Sequence, residues 1–153
     1  MKYWLMKTEP GTYSIDDLLA EPDQTDYWDG VRNYQARNFM RDEMKLGDKV
    51  LLYHSGKKPA VVGTAVIARE GYPDHTAWEP GSEHFDPKSS PEKPIWFMVD
   101  VRCTAKFTEP LPLKTLRGHK ALAPMWLLRR GMRLSIQPVT AAEYDYILSI
   151  AKT

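Results

Sequence analysis

The groups able to do chemistry in this 153-residue chain are few and widely spaced. No GxSxG elbow, Walker-type phosphate loop, HExxH pair or CxxC pair occurs, so the hydrolase, nucleoside-triphosphatase, zincin and zinc-ribbon templates find no local support. The best metal-ligating set is Asp74, His75, His84 and Asp86, nitrogen and oxygen donors of the kind zinc, manganese or iron accept. The Pro-Asp-His and Phe-Asp-Pro strings that carry them are also ordinary loop chemistry, in which a carboxylate caps backbone amides, and that reading is the stronger. Cys103 lies late in an apolar run and reads as a small buried hydrophobe rather than as a nucleophile paired with a distant histidine.

A different chemistry comes from aromatic and polar residues that interleave at the ends of predicted strands: Lys7-Thr8-Glu9-Pro10, Tyr27-Trp28-Asp29-Gly30-Val31-Arg32-Asn33, His54-Ser55 and Tyr72-Pro73-Asp74. If these segments converge, they form an aromatic slot with a polar rim. Flat heterocycles are held that way: the ring stacks on an indole while Asn, Ser, Asp and backbone groups read its edge. Core burial has an equal claim on Trp28. Arg32, Arg37 and Arg41 form a stripe that is as readily a solvated helix face. Arg129, Arg130 and Arg133, with Lys114, Arg117, His119 and Lys120 upstream, form a local basic cluster suited to phosphates.

Short elements must position these groups. Lys2 to Met6 predicts a strand stopped by Glu9-Pro10-Gly11, and Ser14 to Leu19 a short helix with Ser14 as N-cap. Asn33 to Met44 predicts an amphipathic helix, with Phe39, Met40 and Met44 at helical spacing. Val50 to His54 and Ala60 to Ala68 predict a hairpin, and five prolines make Glu70 to Pro94 a long loop. Ile95 to Val101, extended by Thr104 to Thr108, resumes the sheet. One helical turn each is expected at Leu113–Leu116 and Pro124–Arg129, then a last strand at Arg133–Pro138. Thr140-Ala141-Ala142-Glu143 has capping-box spacing and starts a C-terminal helix. Five or six short strands with short helices predict a mixed barrel or curled sheet of the α+β class, not a doubly wound one.

Composition narrows the classes. A hydrophobic share of 42% beside 27% charged residues is that of an ordinary folded chain, read as one domain over residues 1–153. Lys and Arg number 21 against 20 Asp and Glu, which excludes a protein that coats nucleic acid by net charge alone. One cysteine excludes an intramolecular disulfide and a multi-cysteine zinc site, and fits a reducing, cytoplasmic setting. No run of about 18 apolar residues exists to span a membrane, and the short apolar N-terminus does not suit export.

Tyr3-Trp4-Leu5-Met6-Lys7-Thr8-Glu9-Pro10, Tyr13-Ser14-Ile15-Asp16-Asp17-Leu18 and Trp28-Asp29-Gly30-Val31-Arg32-Asn33-Tyr34-Gln35-Ala36-Arg37-Asn38 together resemble the EVE domain. The resemblance continues through Gly47-Asp48, Tyr53-His54-Ser55, Tyr72-Pro73-Asp74-His75 and Arg133-Leu134-Ser135-Ile136-Gln137-Pro138, and so spans almost the whole chain in order. It implies a PUA-like fold, a curled mixed β-barrel with peripheral helices, in its compact bacterial form. It also implies a non-catalytic module without cofactor that accommodates a modified nucleobase of DNA or RNA, such as methylated or hydroxymethylated cytosine. The base would be single-stranded or flipped out, and the protein a monomer. By the same resemblance Trp28 is the aromatic wall, with Asp29 beside it, Lys7, Thr8 and Glu9 opposite, and Asn33, His54, Ser55, Tyr72 and Asp74 on the rim. Arg32, Arg129, Arg130 and Arg133 are the candidates for phosphate contacts. Two rivals are a sensor of a free planar metabolite or nucleoside and, more distant, a metal-dependent hydrolase built on Asp74, His75, His84 and Asp86.

Overall fold

The computed structural model describes residues 1–153, built on one six-stranded sheet in the order β2-β5-β4-β3-β1-β6. The strands are β1 (Tyr3–Thr8), β2 (Thr25–Tyr27), β3 (Lys49–His54), β4 (Ala60–Pro73), β5 (Phe97–Pro112) and β6 (Ile136–Val139). β1 and β3 run parallel and every other neighbouring pair antiparallel. The edge strands β2 and β6 do not pair, so the sheet curls without closing into the full barrel. Register shifts at Leu52/Tyr53 and at four places along β4 and β5 mark bulges, which increase local twist and bend these long strands.

Apolar clusters cover both faces of the sheet. Trp4 and Met6 of β1 join one cluster with Val50, Leu52 and Trp28, while Leu5 joins another with Leu51, Phe107 and Tyr144. Trp4 to Met6, covered on both sides, have no wet face, which is why that part of β1 reads as an unbroken apolar run. Helix α1 (Ile15–Leu19) is capped as expected: the Ser14 hydroxyl accepts from the Asp17 amide at 3.2 Å, and Asp17 answers on the Ser14 amide at 2.8 Å. The second capping box holds too, with Thr140 and Glu143 exchanging bonds of 3.1 and 3.0 Å at the start of α4 (Ala141–Ile150).

Four expectations change. The helix expected over 33–44 is α2 (Tyr34–Asn38) followed by a π turn (Phe39–Glu43), in which the Met44 amide donates to the Phe39 carbonyl at 2.9 Å. β4 runs against that turn, and a Cβ on Gly71 would sit 2.5 Å from the Met40 carbonyl oxygen, so the approach requires glycine. β4 continues to Pro73, where a loop was expected from Glu70, because Tyr72 and Pro73 still pair with Met98 and Phe97 of β5. β5 is one strand, extended to Pro112 by its pairing with Ala60. The last strand begins at Ile136 rather than Arg133. The helical turn at Leu113 is α3 (Leu113–Arg117), while that after Pro124 is a 3₁₀ turn at Trp126–Leu128.

Candidate functional site

An open cavity of about 570 Å³ forms where β1 ends, where the chain leaves β2, and where Ser82–His84 folds back across both. Trp28 lines it although the residue is only 8% exposed and belongs to the core cluster. The Trp28 amide donates to the Val99 carbonyl at 2.8 Å, which fixes the backbone beside β5. Tyr13 meets the indole edge-on, with centroids 6.5 Å apart and planes at 81°. A second crevice touching Trp28, between Leu18, Leu52 and His54, has no room for a water molecule. The indole is therefore held as a core residue and still presents a wall to the cavity.

The neighbouring wall is rigid because buried polar bonds hold it. Gly30 adopts φ +77°, and a Cβ there would lie 2.6 Å from the His84 ring, so only glycine lets His84 lie against this turn. The Gly30 amide donates to Asp74 at 2.9 Å, and the Arg32 guanidinium donates to the same carboxylate oxygen at 3.0 Å. Arg32 also donates twice to the His84 carbonyl, at 3.2 and 2.6 Å, and once to that of Val31 at 3.1 Å. Asp74 is fully buried, and its other oxygen accepts from the Thr76 amide and hydroxyl. Burial alone would raise the Asp74 pKa, but the bonds from Thr76, Gly30 and Arg32 outweigh it and hold the carboxylate ionised below its usual range.

Carboxyls dominate the rim: Glu9, Asp26, Asp29 and Glu83 all line the cavity. Asp26 accepts from the Tyr13 hydroxyl at 2.6 Å, and burial, followed by this bond, raises the phenol's pKa. Burial, and then the negative charge of Asp74, raises the pKa of Asp29 above the usual carboxylate range. Lys7 is half-buried with its ammonium 5.6 Å from the Tyr53 ring centroid, and burial lowers its pKa.

Beside the cavity lies a shallower cleft of about 460 Å³, lined by Asn33 and by Arg129, Arg130, Gly131, Met132, Arg133, Leu134 and Ser135. Ser135 belongs to both walls, so the two depressions adjoin. No carboxylate lines the cleft, and none of its arginines is ion-paired. Here an aromatic-walled cavity able to take a flat ring meets a cationic surface able to take phosphates.

The EVE domain model matches residues 2–150. The chain belongs to the EVE domain family. It is 47% identical to thymocyte nuclear protein 1 of Mus musculus, over 99% of this chain and 74% of that protein. A hypothetical protein from Leishmania major superposes with a TM-score of 0.92 at 49% identity, over 98% of this chain and 94% of the other. Human THYN1, crystallised in complex with DNA containing 5-methylcytosine, superposes at 0.90 with 45% identity, over 98% and 97% of the two chains. The mixed α+β sheet is consistent with the PUA-like fold that the family resemblance implied, with the expected barrel left open.

Within this EVE domain, Lys7, Thr8, Glu9, Trp28 and Asp29 come together around the cavity, and Arg129, Arg130 and Arg133 around the cleft. Arg32 lines the cavity rather than the cleft, its guanidinium bonded to protein acceptors. Asn33 lies in the cleft and caps α2 by accepting from the Ala36 amide at 3.0 Å. Four rim candidates fall outside both depressions. His54 accepts from the Ile15 amide at 3.0 Å, Ser55 bonds the Thr8 carbonyl, Tyr72 donates to Asp100, and Asp74 sits behind the wall.

The metal set does not assemble: Asp74 is engaged by Arg32, His75 lies 3.4 Å from Glu79, and Asp86 accepts from the Trp96 indole at 2.7 Å. No group of three or more His, Cys, Asp or Glu could hold an ion. Sequence reasoning missed Thr12, Tyr13, Asp26, Ser82, Glu83 and Ser135, and found His84 only as a metal ligand. Only Ser135 and Tyr13 lay inside the segments that carried the family resemblance, and nothing local marked their direction.

Proposed function

We propose that this EVE domain is a non-catalytic nucleic-acid-binding module that takes one modified base of DNA or RNA into the Trp28 cavity, with adjacent phosphates on Arg129, Arg130 and Arg133. The observation that carries this is the shared wall at Ser135, which joins an open cavity walled by Trp28 to an unpaired arginine cleft. The human relative's complex with 5-methylcytosine DNA supports the partner class. A free planar metabolite would use the cavity and leave the arginines without a role, so the cleft favours a nucleotide in a strand.

Energetics favour an unpaired strand. Extracting a base from a duplex costs a few kcal/mol, and stacking returns about 1–3 kcal/mol per base. These terms nearly cancel, so edge hydrogen bonds and phosphate contacts supply the net affinity, which is salt-sensitive. A single methyl filling an apolar niche contributes about 0.8 kcal/mol, a few-fold in affinity. Larger selectivity requires a clash with, or an unpaired polar group against, the unmodified base.

The test is a panel of short single-stranded oligonucleotides carrying methylcytosine, hydroxymethylcytosine, methyladenine or no modification. Because Trp28 is part of the core, Trp28→Phe is the variant of choice: it keeps an aromatic ring and shrinks the stacking face. Weakened binding of the preferred modified base by about fivefold, with the fold intact by circular dichroism, is expected. Equal binding of every oligonucleotide by wild type and variant refutes the cavity as the base site.

A further inference from the structure

Residues 110–142 contain no Asp or Glu, yet carry Lys114, Arg117, Lys120, Arg129, Arg130 and Arg133 in a chain whose formal net charge is only +1. The charge is segregated, and a balanced total conceals a basic surface. All six cations are exposed, and none forms a salt bridge. Exposed cations such as Lys2 and Lys106 reach a carboxylate, Glu43 at 3.1 Å and Asp16 at 2.7 Å, whereas this segment carries no carboxylate of its own and its six cations reach none elsewhere.

Five of the six, all but Lys120, also adjoin one another. The Arg117 guanidinium donates to the Leu128 carbonyl at 3.3 Å, placing it next to Arg129 at the edge of the cleft. Lys114 lies three residues before Arg117 on α3, hence on the same side of the helix. Arg129 lies over the Trp126 ring, 5.0 Å from its centroid, which anchors the middle of the run. His119 turns away, its Nδ1 2.7 Å from the Tyr146 hydroxyl on α4.

We infer that Lys114 and Arg117 extend the arginine cleft into a phosphate track, which holds the sugar-phosphate backbone of a single strand for several nucleotides beyond the base in the cavity. This rests on the cavity-and-cleft reading above and adds the direction in which the strand leaves it. A single-stranded backbone is the occupant because extracting a base from a duplex costs a few kcal/mol that an unpaired strand avoids, and a row of unpaired cations with no carboxylate among them complements a row of phosphates.

Lys114→Gln/Arg117→Gln is compared with wild type on oligonucleotides of about three and about nine nucleotides, each carrying the same modified base. For single strands the slope of log K against log salt changes by about 0.7 per phosphate contact. The double variant therefore flattens the slope by about 1.4 on the long strand, and weakens it about tenfold at physiological salt. Affinity for the short strand stays unchanged. Equal losses on both lengths, or no loss on the long strand, overturn the track while leaving the cavity intact. Failure of wild type to bind either strand overturns both readings.

Discussion

The cavity and the cleft share Ser135 but are built by opposite means. The cavity wall is made like an interior, from a core tryptophan, a glycine at φ +77° and a fully buried Asp74 engaged by Arg32. The cleft is made like a surface, from three exposed arginines around Gly131 with no partner carboxylate. Carboxyls rim the first and cations the second, so a phosphate is repelled from the cavity and attracted to the cleft. Under the proposed function the contrast divides the work: shape and edge chemistry select in the buried half, and charge supplies affinity in the exposed half.

The largest expected effect tests the buried half. Arg32→Ala leaves Asp74 buried without its cation and frees the His84 carbonyl, at a cost of about 3 kcal/mol, since breaking a buried pair strands a charge. Arg133→Ala removes the same side chain from the cleft and should move stability by less than about 0.5 kcal/mol. Urea denaturation of the two variants checks this, and similar losses would erase the distinction between interior-built and surface-built halves.

The next effect sharpens the exposed half. Arg129→Gln/Arg130→Gln should lower affinity for modified and unmodified strands alike and flatten the salt slope by about 1.4 without moving Tm. Trp28→Phe should do the reverse, changing base preference at constant slope. An altered preference in the arginine variant would place base reading in the cleft.

The smallest effect concerns pH. His54 packs beneath the cavity with its imidazole accepting from the Ile15 amide, and burial lowers its pKa. The unfolded chain therefore binds a proton near pH 6.5 that the folded protein takes up only at lower pH. Stability conferred by neutral His54 is full above that value and declines as pH falls from about 6.5 through the folded pKa. His54→Asn should flatten the dependence of Tm on pH in that window, and an unchanged profile would remove His54 from the linkage.

Elements coded by neighbouring residues were legible in advance. Ser14 with the acidic first turn, and Thr140 with Glu143, announce helix starts because the capping partners lie three residues apart. The apolar stretches of β1 and β3, and the antiparallel β3–β4 pair, follow from composition and a short turn. β2 has three residues, too few to show a period, and β4 outlasts its apolar stretch because β5 supplies the pairing. The rim was half legible for a related reason. Trp28 and Asp29 sit in a distinctive string, whereas Ser82, Glu83 and Ser135 reach the cavity from distant chain segments. Tyr72 and His54 stand on matching motif positions and serve Asp100 and Ile15 instead.

By itself the sequence determined the family, the α+β class, the capped helix starts and the residue types available to a flat ligand and to phosphates, because each is written in contiguous strings or in composition. Tertiary structure alone decided that Trp28 is at once core and wall, that Asp74 and Arg32 clasp each other rather than a ligand, and that the unpaired arginines adjoin the cavity. Those outcomes depend on which face of a strand or turn each side chain takes, and that face is set by pairing register and long-range packing rather than by the identity of the residue.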